Sequence, residues 1–247
     1  KSRTSAMNFQ TSGKDKSQDQ QKRGFTATSL VQLMSDKMQF ERIPIMYSNH
    51  DLPEIFKGFK LTDTNGDHGN YFGEISNGKP HGYGRMIYDD FRRYEGNWMN
   101  GRYHGYGQLS YSNGDLYEGE FKDDNMHGRG TYSWSDGRVY TGDYIEDQRD
   151  GHGSYAWPDG SNYSGTFFCG QINGYGTYEL PCGSKYSGEF QSGKFHGFGF
   201  LIQPDGKRFK GHFQNGKKHG SGRLIFSNGA IDRTGFWIND SIVVDKN

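Results

Sequence analysis

The sequence predicts an all-β fold: an elongated, single-layer, twisted antiparallel β-sheet preceded by a short N-terminal helical segment. Three observations carry that expectation. An aromatic ring recurs every 23 residues, at Tyr71, Tyr94, Tyr117, Tyr140, Tyr163 and Tyr186, with Phe209 as the seventh member, and a fixed period of this length marks a repeat architecture. Within each unit large and small residues alternate with period two, the signature of a strand. Dipeptides such as Asn113-Gly114, Asp136-Gly137, Asp159-Gly160, Asp205-Gly206 and Asn228-Gly229 separate the units and supply the positive φ of tight hairpin turns.

Composition agrees with a thin sheet. Only 31% of the 247 residues are hydrophobic and the mean hydropathy is −0.97, too little for a thick two-layer core. The 38 glycines and 16% aromatics suit rings lying over bare backbone. Acidic and basic residues balance at 29 each, so no net field favours nucleic acid. No apolar run resembles a signal peptide or a membrane span, and a cytoplasmic location is expected. The chain begins with Lys1, as a piece of a longer polypeptide would. Cys169 and Cys182 fall in turns at opposite ends of the ribbon's width, ~17–20 Å apart, and are expected to stay unpaired.

Taken in chain order, residues 1–24 are polar, with six basic and two acidic side chains (6 − 2 = +4), and read as a disordered basic tail. Residues 25–55 hold a short helix in which Leu30, Leu33, Met34 and Met38 share a face, Ser29 caps the start and Pro44 ends it. This helix is expected to cap the first hairpin, to lie in the aromatic trough, or to serve another protein. Residues 56–247 form the ribbon. Two residues after each ring comes a glycine, and two further a large apolar side chain: Ile75, Trp98, Phe121, Tyr144, Phe167, Phe190 and Phe213. The second half of each unit alternates in the same way, as in Gly84-Met86-Tyr88, Gly130-Tyr132-Trp134 and Gly153-Tyr155-Trp157. Each 23-mer is therefore strand, turn, strand, turn, and seven units give roughly fourteen strands over a length on the order of 65 Å. An eighth unit at Gly235-Phe236-Trp237 is shifted by one residue and lacks the His and Gly-x-Gly elements, as a terminal cap would.

The stretches "YEGEFKDDNMHGRG" and "YSGEFQSGKFHGFG" resemble membrane occupation and recognition nexus (MORN) repeats, with seven full copies between about Phe56 and Asp240. Departures are local: Asp124 and Asp147 replace the mid-turn glycine, and Asp150 and Asn173 replace the histidine. The resemblance implies a non-enzymatic scaffold or docking module. Related arrays occur in ciliary, flagellar and other cytoskeletal structures, at membrane junctions, and as appendages of lipid kinases and methyltransferases. A cytoskeletal or ciliary setting is thus expected, with protein partners of that kind. The alternatives are a peripheral membrane tether using the basic tail and a targeting domain of a larger enzyme. The tail's basic residues are too dispersed for the dense cluster that reads lipid.

Chemical readings of the repeat are weaker than structural ones. The histidines at 81, 104, 127, 196 and 219 recur about 9.6 Å apart, too far for neighbours to share a metal whose ligand nitrogens lie within ~4 Å of one another. Each ring is expected instead to satisfy backbone groups at its own bend. The Gly-x-Gly pairs precede strands, not the helix that a phosphate site requires. Asp63-x-Asn65-x-Asp67 imitates a calcium loop but has His68 where glycine is needed, so a polar turn is expected. No catalytic residue, metal or cofactor is expected.

Function is expected in the rings. A single-layer sheet leaves apolar surface that marks a partner site, and the central run is Tyr94, Trp98, Tyr117, Phe121, Tyr140, Tyr144, Tyr163, Phe167, Tyr186 and Phe190. On the opposite face, Tyr83, Tyr106, Tyr175 and Phe198 form an outer aromatic stripe. Open strand edges also invite self-association.

Overall fold

The computed structural model describes residues 58–243. The basic tail and the helix expected between Ser29 and Pro44 lie outside the described residues. Among the described residues, seventeen antiparallel strands form one open sheet, each hydrogen-bonded to its neighbours in sequence. Strands β2 (His68–Ser76) to β15 (Lys217–Ile225) supply two strands for each of the seven units. Strand β1 (Phe59–Thr62) precedes them, and β16 (Ile231–Ile238) and β17 (Ser241–Val243) follow, which accounts for the excess over the expected fourteen.

The glycines align across the sheet from β2 to β16. Gly73 faces Gly84, Gly84 faces Gly96, and the pairing continues through Gly119, Gly130, Gly142 and Gly153 to Gly222 and Gly235. The ladder is obligatory because nothing else fits. A Cβ on Gly107 would lie 2.5 Å from Tyr94 Oη, and one on Gly96 would lie 2.4 Å from the Gly107 Cα. Beside the ladder each unit has a β-bulge, as between Gly73 and Ile75 or Gly119 and Phe121, which bends the strand sharply. The first glycine of each Gly-x-Gly takes the left-handed conformation that this bend needs, with φ +62° at Gly128.

Two kinds of turn alternate. Within units, both central residues have positive φ, as at Asn100 (54°) and Gly101 (86°) or Asp123 (51°) and Asp124 (75°), the geometry whose twist matches paired strands. Between units only the glycine does, with φ 91° at Gly114 and 89° at Gly137. The Asn and Asp residues of those dipeptides therefore do not supply positive φ, as the sequence suggested. Their side chains accept backbone N–H groups two residues on: Asp115 N–H donates to Asn113 Oδ1 (3.0 Å) and Arg138 N–H to Asp136 Oδ1 (3.1 Å). In the turn between units one and two, Phe91 occupies the glycine position at φ 69° and is 82% exposed.

The departures from the repeat pattern tie successive units together. Asp124 Oδ1 accepts the Tyr103 N–H and Asp147 Oδ1 the Met126 N–H, both at 2.8 Å. Asp150 and Asn173, which replace histidine, accept the N–H groups of Cys169 and Ser192 at 3.0 Å. In the terminal unit the one-residue slip is absorbed between Ile231 and Arg233, whose partners Ile225 and Leu224 are adjacent, so Gly235 still faces Gly222. The calcium-like stretch is a polar turn: Asp63 Oδ1 accepts the N–H groups of Asn65 (2.8 Å) and Asp67 (2.9 Å). Both cysteines are free and exposed.

Candidate functional site

The sheet is folded lengthwise along the glycine ladder. Arg149 and Tyr155 lie six residues apart on β9 (Gln148–Ala156), about 20 Å along a flat strand, yet the Arg149 guanidinium carbon sits 5.4 Å from the Tyr155 ring centroid. Likewise the Tyr88 and Tyr103 hydroxyls, from opposite ends of β3 (Lys79–Tyr88) and β5 (Arg102–Ser110), hydrogen-bond to each other. The result is a trough with a floor of rings and two walls.

The floor is an unbroken zigzag of edge-to-face contacts. Tyr94 meets Trp98 at 5.0 Å and Phe121 at 5.2 Å, Tyr117 meets Phe121 at 4.9 Å and Tyr144 at 5.3 Å, and the series runs on to Phe209 and Trp237. Such contacts satisfy the ring quadrupoles. Each repeat tyrosine also donates its hydroxyl to the bulged carbonyl three residues on: Tyr117 to Glu120 O at 2.9 Å, Tyr140 to Asp143 O at 3.0 Å. Burial, reinforced by the Asp143 carboxylate, pushes the Tyr140 hydroxyl up to about 12, and burial pushes Tyr163 up to about 12. These hydroxyls therefore stay protonated donors.

The ten central rings named from the sequence are all part of this floor. Tyr94, Tyr117, Tyr140 and Tyr163 are 0% exposed, Tyr186 1%, Trp98, Phe121 and Tyr144 3%, Phe167 4% and Phe190 5%. They make the hydrophobic core and present almost no surface. The surface lies one row out, on the wall formed by the C-terminal half of the second strand of each unit and the residue just beyond it. There Tyr111, Tyr132, Trp134, Trp157 and Tyr178 are half-buried, and with buried Tyr155 they form a continuous ladder. Successive ring centroids along it lie 6.1, 4.5, 5.4, 4.4 and 5.6 Å apart. The sequence showed these residues as alternation only. Their signal is their place, two and four residues after the second glycine of Gly-x-Gly, beyond the reach of the floor rings.

The opposite wall carries Pro80, Tyr103, Met126, Arg149, Ile172 and Phe195. Tyr103 and Phe195 lean in and stack on floor rings, at 3.7 Å from Tyr94 and 3.8 Å from Tyr186. Between them Arg149, Tyr155, Trp157, Phe167, Gln171, Ile172 and Ser192 line an open cavity of about 430 Å³.

The outer stripe is exposed but interrupted. Tyr83 (48%), Tyr106 (54%), Tyr175 (67%) and Phe198 (45%) project from the far face, with exposed Arg129 and His152 in the equivalent positions between the two pairs. Tyr106 donates its hydroxyl to Glu118 Oε1 at 2.8 Å. Beneath this row the bulged residue serves the backbone: Glu120 Oε1 accepts the Arg129 N–H at 3.1 Å and Asp143 Oδ2 the His152 N–H at 2.8 Å. The histidines do not do that work, contrary to expectation. His104 Nδ1 and His219 Nδ1 are buried without a hydrogen-bond partner among the described residues, because the tyrosine hydroxyl and the bulged side chain already occupy the bend's polar groups.

Comparison with protein families matches the MORN repeat model seven times, at residues 71–91, 94–116, 117–137, 140–162, 163–185, 186–208 and 209–231. No curated protein matches the chain. Among solved structures, the TCP domain of SAS-4 (dCPAP) from Drosophila melanogaster, in complex with a proline-rich motif of Ana2 (dSTIL), is similar at 14% identity. The match covers 78% of this chain and 96% of that one with a TM-score of 0.41. The G-box domain of the microcephaly protein CPAP is 15% identical over 73% of this chain and 99% of that one (TM-score 0.42). The TCP10 domain of Danio rerio CPAP is 14% identical over 72% and 100% (TM-score 0.25).

Proposed function

The chain belongs to the MORN-repeat family, and on that footing we propose that it is a non-catalytic docking scaffold whose trough holds an extended segment of a protein partner. The observation that supports this reading is the wall ladder from Tyr111 to Tyr178. Half-buried Tyr and Trp rings combine large contact area with little rotamer entropy to lose, which makes them the side chains that anchor interfaces. The floor rings, Tyr94 to Phe190, set the spacing and shape of that wall through their packing. The setting we propose is a cytoskeletal or ciliary assembly, on the strength of where related repeat arrays occur.

The test compares Trp134→Ala plus Trp157→Ala with wild type in proximity labelling and pull-down from native cells, with thermal unfolding measured alongside. Loss of a specific set of partners by a variant that still unfolds cooperatively supports docking in the trough. Retention of every partner refutes docking in the trough, and loss only with Tyr106→Ala plus Tyr175→Ala moves the site to the outer stripe.

A further inference from the structure

The wall opposite the aromatic ladder is built from apolar side chains in five of its first six repeat positions, and Arg149 is the exception. Its half-buried guanidinium lies 5.4 Å from the Tyr155 ring centroid, 5.7 Å from that of Tyr140, and 5.8 Å from those of Trp134 and Phe167. These ring faces favour a cation, so the charge is held in place without an anion. Its one hydrogen bond to the described residues runs from Nη2 to Gly170 O at 2.7 Å. A guanidinium carries five N–H donors in a planar fork, which leaves most of them unused. No carboxylate of the described residues forms an ion pair with it. The two acids nearest in sequence are committed elsewhere, Asp147 to the Met126 N–H and Asp150 to the Cys169 N–H.

This cation borders the cavity of about 430 Å³ between Trp157 and Ile172, which Gln171 and Ser192 also line. The recess opens into the trough and leaves room for a side chain beside the guanidinium. A fixed, weakly hydrated guanidinium beside an apolar recess is matched by a planar carboxylate flanked by apolar groups.

We propose that this recess is an anion subsite of the trough: it takes an aspartate or glutamate of the docked peptide, which pairs with Arg149 while adjoining apolar residues lie against Trp157 and Ile172. The inference rests on the docking reading and adds the chemistry of the partner. Between Pro80 and Phe195 an acidic residue away from Arg149 gains little, because the other positions of this stretch of wall present no cation; the next cation on it is Lys218, in the seventh unit, over the Phe209 and Trp237 rings.

Display of random 12-residue peptides on the whole chain tests it, followed by affinity measurement of the selected peptides and their Glu→Gln or Asp→Asn partners. We expect peptides whose binding is weakened by Trp157→Ala to carry an acid beside apolar residues. Wild type should bind the acidic form at least tenfold more tightly than its amide, and Arg149→Met, which keeps length and ring contact, should reduce that ratio to about one. The acid-to-amide ratio on wild type stands even if the variant folds poorly, and Arg149→Lys should give an intermediate ratio. Peptides that depend on Trp157 but show no acid preference, or a preference that survives Arg149→Met, overturn the anion subsite alone. Selection of no Trp157-dependent peptide overturns the docking reading and the subsite with it.

Discussion

Replacing Gly130 by alanine tests the glycine ladder where backbone conformation gives no reason for glycine. Gly130 has no left-handed φ, so on conformational grounds alone alanine is harmless there. Packing gives the opposite answer. The new Cβ would stand 2.3 Å from Tyr117 Oη and 2.5 Å from Cε2 and Cζ, so the ring must retreat by roughly 1 Å to reach ordinary contact. It has no room to do so: Tyr117 is 0% exposed and is held edge-on by Phe121 and Tyr144. Overpacking costs about 1–3 kcal/mol, and displacing the Tyr117 hydroxyl from Glu120 O costs about 1 kcal/mol more. The sum is a destabilisation of about 2–4 kcal/mol. The control is Gly114→Ala, where φ is +91° but the nearest atom is Ser135 Cβ at 3.3 Å, for an expected cost of about 1–2 kcal/mol. Urea unfolding followed by tryptophan fluorescence compares the two. A Gly130→Ala cost at or below that of Gly114→Ala refutes the reasoning. A double-mutant cycle with Tyr117→Leu should return at least ~1 kcal/mol of favourable coupling, since contacting residues couple on that scale.

Three further predictions concern other parts of the sheet. Phe91→Gly should raise the melting temperature, by relief of a left-handed conformation worth about 1–2 kcal/mol against about 0.5–1 kcal/mol of glycine entropy; a fall shows that the exposed ring packs on something. Phe209→Tyr should stabilise by about 0.5–1.5 kcal/mol by giving the seventh unit the hydroxyl-to-carbonyl bond, here to His212 O, that the other six possess, and unchanged urea midpoints refute this. Asp115 is buried, and the Ser135 N–H holds its carboxyl below the usual range, against burial and with help from the Tyr132 hydroxyl. Because its folded pKa is depressed, the stability it confers is complete above the unfolded value of about 3.9 and lost as pH falls through the folded pKa. The gap in melting temperature between wild type and Asp115→Asn should therefore be full at neutral pH and close on acidification; a pH-independent gap refutes it.

The repeat period made the strands, the turns and the large core residues legible in the sequence, because the packing of each unit is local to that unit and the next. The trough's accessible side was not legible. Floor rings such as Tyr117 and wall rings such as Trp134 follow the same period-two rule, and only the lengthwise fold along the ladder separates buried from half-buried. Arg149 was hidden for the same reason: in one dimension it is a basic residue beside a turn, and the rings around it come from three strands and from Trp134, just past a fourth. The work of Asp124, Asp147, Asp150 and Asn173 was also unreadable, since each bonds a backbone group about 19 to 21 residues away. Such an acceptor looks like a lapse in the pattern until its partner is seen.

The glycine ladder gives the sheet unequal stiffness in its two directions. Along the array, every step is fixed by ring contacts and by a hydroxyl bond in each of the first six units. Across it, the two walls meet through few direct ties, such as the Tyr88–Tyr103 hydroxyl pair, and turn on residues with no side chains to resist them. The spacing of contacts along the trough is therefore fixed by ring packing, whereas the ladder glycines contribute no side chains that tie one wall to the other. On the docking reading proposed above, such a trough would act as a ruler, measuring its guest lengthwise in steps of one repeat.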